Sequence, residues 1–433
     1  MKILTKLLKE KFKLDKLDEI LKVVMDSRKI EKDSLFFAIN NGNKYIDEVL
    51  ERGATLVIAD DYSGDDSRVI VVEDTIKAMQ DLAQEYRKAL GVKVIAITGS
   101  NGKTTTKDMI YSVLSQKYRC KKTEGNYNNH IGLPFTILQL DDTDEVSVLE
   151  MGMSGFGEID RLCEIAKPDY ALITNIGDSH LEFLKTRENV FKAKGEIIKY
   201  VVSENLIIFG DDYYLKNLSG VTVGYEKNCK KRIENFKDTD EGIEFSLEGN
   251  NYKINLNGKH NCINGAMAVV VGMSLDLTSE EIQKGFDNLN LTPMRFQKIV
   301  KGETLYINDA YNASPISMRY SLETFDKLYN DRTKIAVLGD MLELGDKEIE
   351  FHREIIKKAL DIKVDRIYIY GEIMQKAYEL MEQNKKIITS LDKNFIRESI
   401  KESIKGSKAI LLKGSRGMKM EEIIEGSGDR CFI

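Results

Sequence analysis

The stretch Val92–Asp108 reads VKVIAITGSNGKTTTKD, and it decides the fold. Val92–Ile97 is short, apolar and rich in β-branched side chains, the pattern of a strand buried on both faces. A glycine-rich turn follows, and a helix is expected from Lys103 to about Gln116. In the segment Ile97–Asp108, Gly99 and Gly102 let backbone amides converge on phosphate oxygens. The helix N-terminus adds partial positive charge. Lys103 can reach terminal phosphates, and the Thr104 hydroxyl can ligate Mg²⁺. Strand, loop and helix in this order predict binding of a nucleoside triphosphate. The loop is two residues shorter than the common GxxxxGK[ST] form, and alone it does not separate ligase, kinase, motor or transport ATPase.

Outward from this stretch, apolar runs alternate with helical patterns. VSVLE (Val146–Glu150), YALITN (Tyr170–Asn175) and LIIF (Leu206–Phe209) read as strands of the same, largely parallel sheet. Residues 220–260 alternate polar and apolar and read as antiparallel hairpins beside it, before a helix that starts near His260. Upstream, the runs Leu35–Ile39, Leu56–Ala59 and one ending at Val72, with a helix over Ile76–Leu90, form a small α/β unit. Downstream, strand candidates at 304–307, 334–338, 366–370, 386–389 and 408–412 mostly lie far enough apart for βαβ units, a second Rossmann-like sheet. The expected blocks are 1–90, 91–298 and 299–433.

A length of 433 residues fits this division, at about 150 residues per domain. Hydrophobic residues at 42% and charged residues at 31% indicate a globular chain. The net charge of −6 carries no basic footprint, so nucleic acid is not an expected partner. No stretch approaches the roughly 20 apolar residues of a membrane span. Cys120, Cys163, Cys229, Cys262 and Cys431 form no CxxC pair, and reduced thiols in a cytoplasmic setting are expected.

Other residues carry chemistry by position. Glu150 closes a parallel strand at the edge where such folds bind ligands, and it can hold Mg²⁺ or be an ordinary strand-end acid. His180, in TNIGDSHLEFL, can serve a second divalent ion, with a structural or surface role equally open; the same holds for Asp178. By composition Lys194 belongs on a solvated helix face, and Asn264 and Arg295 stand out no more. INDAYNASPISM (Ile307–Met318) reads as a functional loop or as a turn with Ser314 and Pro315 starting a helix. LGDMLELG (Leu338–Gly345) follows a strand with two acids. LLKGSRGMKME (Leu411–Glu421) places Lys413 and Arg416 where they can meet phosphate or carboxylate.

Taken together, ITGSNGKTTTKD, EGNYNNHIGLPFT, EMGMSGFGEID, TNIGDSHLEFL, AKGEI, NDAYNASPISM, LGDMLELG and LLKGSRGMKME resemble, in order and over all three blocks, the Mur ligase family. The NDAYNASP and GDMLELG segments resemble its D-alanyl-D-alanine-adding branch. The resemblance implies an α/β, three-domain Mur ligase architecture with a central P-loop ATPase domain and a C-terminal Rossmann-like domain. It implies ATP-dependent joining of D-alanyl-D-alanine to a UDP-N-acetylmuramoyl-tripeptide through an acyl phosphate, by a cytoplasmic monomer. Gly99, Ser100, Asn101, Gly102, Lys103, Thr104 and Thr105 would cradle ATP. Thr104 and Glu150 would serve one Mg²⁺, and His180 a second. Lys194 matches a lysine often carbamylated in the family, which would turn a cation into an anion able to support that metal. Asn264 resembles an adenine contact, Arg295 a phosphate contact, and Asp309 a ribose or inter-domain contact. Ser27 and Arg28, within DSRKI, match the segment for the UDP substrate, and Asn126, Asn128 and Asn129 face its muramyl part. Asn312 and Arg416 fall among the substrate-binding positions. Three places depart from the family pattern. NGNKYIDE (Asn41–Glu48) replaces a His-Asp-Phe-like segment, His130 stands where Glu or Gln is common, and Asn308-Asp309-Ala310 where Asp-Asp-Ser is common.

Overall fold

The strand that opens the decisive stretch, Lys93–Thr98, is buried at every position after Lys93. Burying each branched side chain contributes about 1.5–3 kcal/mol, and a strand apolar on both faces has to sit inside a sheet covered on both sides. In a computed structural model, described over residues 1–239, 241–403 and 406–425, it does. It pairs in parallel with Val146–Glu150 on one side and Tyr170–Ile173 on the other. The full sheet has seven strands, in the order Lys231–Arg232, Val221–Gly224, Leu206–Phe209, Tyr170–Ile173, Lys93–Thr98, Val146–Glu150, Cys120–Lys122. Strand order reverses at Lys93–Thr98. The loop after it therefore opens into the crevice where doubly wound sheets bind ligands.

Two details correct the sequence expectation. Val221–Gly224 and Lys231–Arg232 extend the parallel sheet rather than forming hairpins. Lys231–Arg232 is the edge strand and Val221–Gly224 the one beside it, and both are only partly covered, so neither shows a continuous apolar run. The antiparallel part of this region is confined to Glu234–Thr239, Gly242–Leu247 and Asn250–Ile254. The glycine-rich loop leads into helix Lys103–Leu114, which ends two residues before the expected Gln116. Helix Lys259–Ser274 packs against it, buried almost all round from Asn261 to Gly272.

Upstream, Lys22–Val24, Ser34–Phe37, Ala54–Ala59 and Val69–Val71 form a four-stranded parallel sheet in chain order. Helix Thr75–Leu90, capped by the Asp74 side chain on Lys77 N, is bonded to the neighbouring unit. Tyr86 Oη donates to Leu140 O at 2.8 Å and Arg87 Nε to Ala166 O at 2.9 Å. Downstream, six strands run in the order Gln297–Lys301, Thr304–Asn308, Lys408–Lys413, Thr333–Gly339, Arg366–Tyr370, Ile387–Ser390. All pair in parallel except the first, an antiparallel edge strand absent from the sequence expectation.

Among the described residues, no helix is long and apolar enough to cross a membrane. Cys120, Cys163, Cys229 and Cys262 are free thiols, and Cys431 lies outside the described residues.

Candidate active site

The loops at the C-terminal ends of the central and downstream sheets meet around one cavity of about 350 Å³. Its floor is the glycine-rich loop. Gly99 has φ +144°, and a Cβ there would lie 2.0 Å from Thr174 Oγ1 and 3.0 Å from Thr174 N. The close approach lets the ends of the neighbouring strands grip the loop. Ser100 N donates to Asn175 O at 2.9 Å, Asn101 N to Asn175 Oδ1 at 3.0 Å, and Thr174 Oγ1 to Asn101 O at 2.6 Å. Gly99→Ala places a side chain in a left-handed position and into Thr174. Strain of about 2 kcal/mol is expected to weaken nucleotide binding about 30-fold, readable by calorimetry with ADP. Unchanged affinity would show that the loop tolerates the side chain.

Ser100, Asn101, Gly102, Lys103, Thr104 and Thr105 all line the cavity. Lys103 Nζ donates to Gly99 O at 2.8 Å. Burial pushes its pKa down, Glu150 pulls it back up, and Arg295 lowers it further. Thr104 Oγ1 accepts from Arg295 Nη2 at 2.9 Å. The Arg295 guanidinium carbon lies 4.0 Å from the centre of the Tyr311 ring, which holds the charge in place by a cation–π contact. The backbone around Arg295 is fixed from both sides. Thr292 N donates to Asp108 Oδ2 on the loop's own helix at 2.7 Å, and Phe296 N to Asp309 Oδ1 at 3.1 Å.

Glu150 is 3% exposed. One carboxylate oxygen accepts from Asn128 Nδ2 at 2.8 Å, and the other is buried with no hydrogen-bond partner. A carboxylate oxygen left bare inside a protein is costly, and a cation bound there would satisfy it. Among the described residues no group of three or more His, Cys, Asp and Glu side chains converges on one point. The donors around the loop are instead one carboxylate, one hydroxyl and one imidazole. The carboxylate and hydroxyl are oxygen donors that fit Mg²⁺, which takes one or two protein ligands and completes its octahedron with phosphate and water; the imidazole is a donor for a second divalent ion.

Lys194 departs most from its compositional expectation. It ends helix Arg187–Lys194 fully buried, not on a solvated face, and its Nζ has no hydrogen-bond partner. Burial holds its pKa well below the ordinary lysine range, and nearby Lys103 lowers it further. His180 lines the same cavity, and its Nδ1 lies 2.8 Å from Glu343 Oε2 of the LGDMLELG segment. Asp178 pairs with Arg187 and lines a smaller crevice beside this cavity rather than the cavity itself.

Asn264, Arg295, Asp309, Asn312, Asn128 and Asn129 also line the cavity. The Asp309 carboxylate is already engaged by Phe296 N, by Ser321 Oγ and by Lys413 Nζ at 2.7 Å. These bonds tie it to the downstream unit while it lines the cavity. Arg416 lines a smaller adjoining crevice of about 220 Å³ that shares Lys103, His180 and Asn312 with the first, and it pairs with Glu421 at 2.6 Å. Ser27, Arg28 and Asn126 lie outside both cavities. Arg28 is bound to Asp26, whose carboxyl it holds down to about 2.

Sequence reasoning missed three wall residues. Tyr320 stacks on His260 with ring centres 5.1 Å apart and planes 7° from parallel, and both line the cavity with Tyr311. His260 was a signal, because it is one of only four histidines and lies one turn before Asn264. Burial pushes its pKa down to about 4, so it is neutral at pH 7.

A nucleotide-type loop, an orphaned carboxylate and a second sheet across one cleft fit an ATP-dependent ligase, and the similarity to known proteins establishes that class. The Mur ligase middle domain matches residues 97–272, and the Mur ligase, glutamate ligase domain matches residues 294–416. The UDP-N-acetylmuramoyl-tripeptide–D-alanyl-D-alanine ligase of Bacillus subtilis is 39% identical, over 93% of this chain and 92% of its own length. That of Rickettsia prowazekii is 30% identical, over 93% and 94%. The chain belongs to the Mur ligase family. Within that family it is most informatively compared with two solved structures titled MurF. The one from Acinetobacter baumannii superposes with a TM-score of 0.87 at 27% identity, covering 97% of both chains. The one from Thermotoga maritima, in complex with ADP, gives 0.83 at 29% identity, covering 94% and 96%. A Mycobacterium tuberculosis folylpolyglutamate synthase, at 15% identity and a TM-score of 0.65, shares the fold alone.

Proposed function

We propose that the chain joins D-alanyl-D-alanine to a UDP-N-acetylmuramoyl-tripeptide, using ATP and Mg²⁺, in the synthesis of a peptidoglycan precursor. The carrying observation is that the triphosphate loop, bare Glu150 and the NDAYNASP loop line one cavity, in a chain aligned nearly end to end with UDP-N-acetylmuramoyl-tripeptide–D-alanyl-D-alanine ligases. Residues 1–90 would bind the UDP end through Ser27 and Arg28, 91–298 would bind ATP, and 299–433 would admit the dipeptide. The proposed setting is the cytoplasm, with the chain acting as a monomer and without a nucleic-acid or membrane partner.

A peptide carboxylate is a poor acyl donor, because oxide is a poor leaving group. Transfer of the γ-phosphoryl group to the terminal carboxylate forms an O–P bond, releases ADP and creates a good leaving group. Lys103 and Arg295 stand at the loop to offset the charge that spreads over the transferring phosphoryl oxygens. Gly99–Thr105 would orient the phosphates, and Asn264, beside Gly102, would contact the base. Thr104 and Glu150 would hold one Mg²⁺ and His180 a second. The metal supplies further charge stabilisation when bound. Asn126, Asn128 and Asn129 would position the muramyl peptide, and Asn312 and Arg416 the incoming dipeptide. The neutral amine of the dipeptide attacks the acyl carbon, and the tetrahedral intermediate expels phosphate and leaves an amide. Tyr311, Tyr320 and His260 set rings in the cavity wall, where exclusion of water would limit hydrolysis of the acyl phosphate.

Lys194, which burial holds well below the ordinary lysine range, suits carbamylation. An uncharged amine adds to CO₂, forming an N–C bond and losing a proton, and the product is an anion beside Lys103.

ADP release tests the reading. It is expected to need D-alanyl-D-alanine and the UDP-tripeptide together. Activation by a different amino acid in place of the dipeptide would overturn it.

A further inference from the structure

The LGDMLELG segment contributes one side chain that the reaction above does not use. Glu343 reaches across from the downstream unit and meets His180 of the central unit, 163 residues away in sequence, at 2.8 Å. The loop is docked by its backbone as well. Glu182 N donates to Glu343 O at 3.3 Å, and Gly345 lies so close that a Cβ there would be 3.1 Å from Glu182 Cα. Its position therefore does not depend on the Glu343 side chain.

A carboxylate can only accept, so the hydrogen between Glu343 and His180 belongs to Nδ1. His180 lines both the nucleotide cavity and the adjoining crevice. A neutral imidazole with hydrogen on Nδ1 carries its lone pair on Nε2. Carboxylates commonly set metal-binding imidazoles in this way.

We propose that Glu343 is a positioning residue that fixes the tautomer of His180, so that Nε2 is the electron-pair donor on the nucleotide cavity. Because Glu343 belongs to the opposite unit, the ligating form of His180 is completed by docking of the downstream sheet onto the central one. A metal site on one unit is thereby made conditional on the presence of the other. Only the link to a divalent ion rests on the ligase reading; the tautomer itself does not.

The first test needs neither nucleotide nor metal. Long-range ¹H–¹⁵N correlation spectra of the full-length, ¹⁵N-histidine-labelled protein resolve four histidines, with H180Q assigning His180. Wild type is expected to show His180 protonated on Nδ1, and E343A is expected to shift it toward protonation on Nε2. Protonation on Nε2 in wild type, or an unchanged tautomer in E343A, overturns the proposal. E343L, which fills more of the vacated space, repeats the measurement if E343A does not fold. The second test is the Mg²⁺ dependence of ligation. E343A is expected to raise half-saturating Mg²⁺ about 10-fold while leaving KM for D-alanyl-D-alanine unchanged. A change in that KM alone would mean that Glu343 serves the dipeptide instead. Absence of ligation by wild type would sink the functional reading and leave the tautomer result standing.

Discussion

Lys103→Ala is expected to abolish ligation, with kcat lower by about 10³-fold, while the fold survives. The side chain makes one hydrogen bond, to Gly99 O, and such a bond contributes only about 0.5–1.5 kcal/mol to stability. Its place between Glu150 and Arg295 gives it a different weight in the reaction. Positive charge fixed in a cavity partly closed to water opposes the charge that builds up during phosphoryl transfer, and water reaching an alanine cannot replace it. The measurement is single-turnover product formation, with circular dichroism to verify folding. Product formed at the wild-type rate would remove Lys103 from this role.

Lys194→Ala is the second large effect. A lysine buried without a partner is an expensive feature for a chain to keep, since taking an ion out of water costs several kcal/mol. Neutralisation lowers that cost, and a carbamate gives the nitrogen a purpose beside Lys103 and His180. Removing the amine is expected to lower kcat about 10- to 100-fold, with partial rescue by a small carboxylate such as formate. The intact protein is expected to carry the added mass of CO₂ under native conditions. Full activity in the alanine variant, without rescue, would leave Lys194 a buried residue and nothing more.

Much of this site could be read from the sequence because its parts are local. Strand, turn and helix at Val92–Asp108 lie within one short run, and Glu150 is named by the strand that it closes. The strands of the central sheet are continuous apolar runs, since a strand covered on both faces has no polar side to show. Strands at or next to a sheet edge lack that signal. Gln297–Lys301 is largely exposed, and its residues look like a linker. Val221–Gly224 is half-exposed and looks like a hairpin. Lys194 could not be recognised from composition, because burial is decided by helices and loops that close over it in three dimensions. The pairings Glu343–His180 and Arg295–Thr104 join residues far apart in the chain, and no periodicity records them. The same holds for the Asp309 carboxylate. Its partners Phe296, Ser321 and Lys413 are spread along the chain, and no periodicity brings them together.

The most direct test of the central claim is mass spectrometry of the products formed from ATP, Mg²⁺, D-alanyl-D-alanine and the two UDP-tripeptides ending in lysine or diaminopimelate. The account predicts a UDP-linked pentapeptide whose mass is that of the tripeptide plus the dipeptide less one water, formed in step with ADP and phosphate. ATP hydrolysis without that product, or addition of a single amino acid in place of the dipeptide, would contradict it.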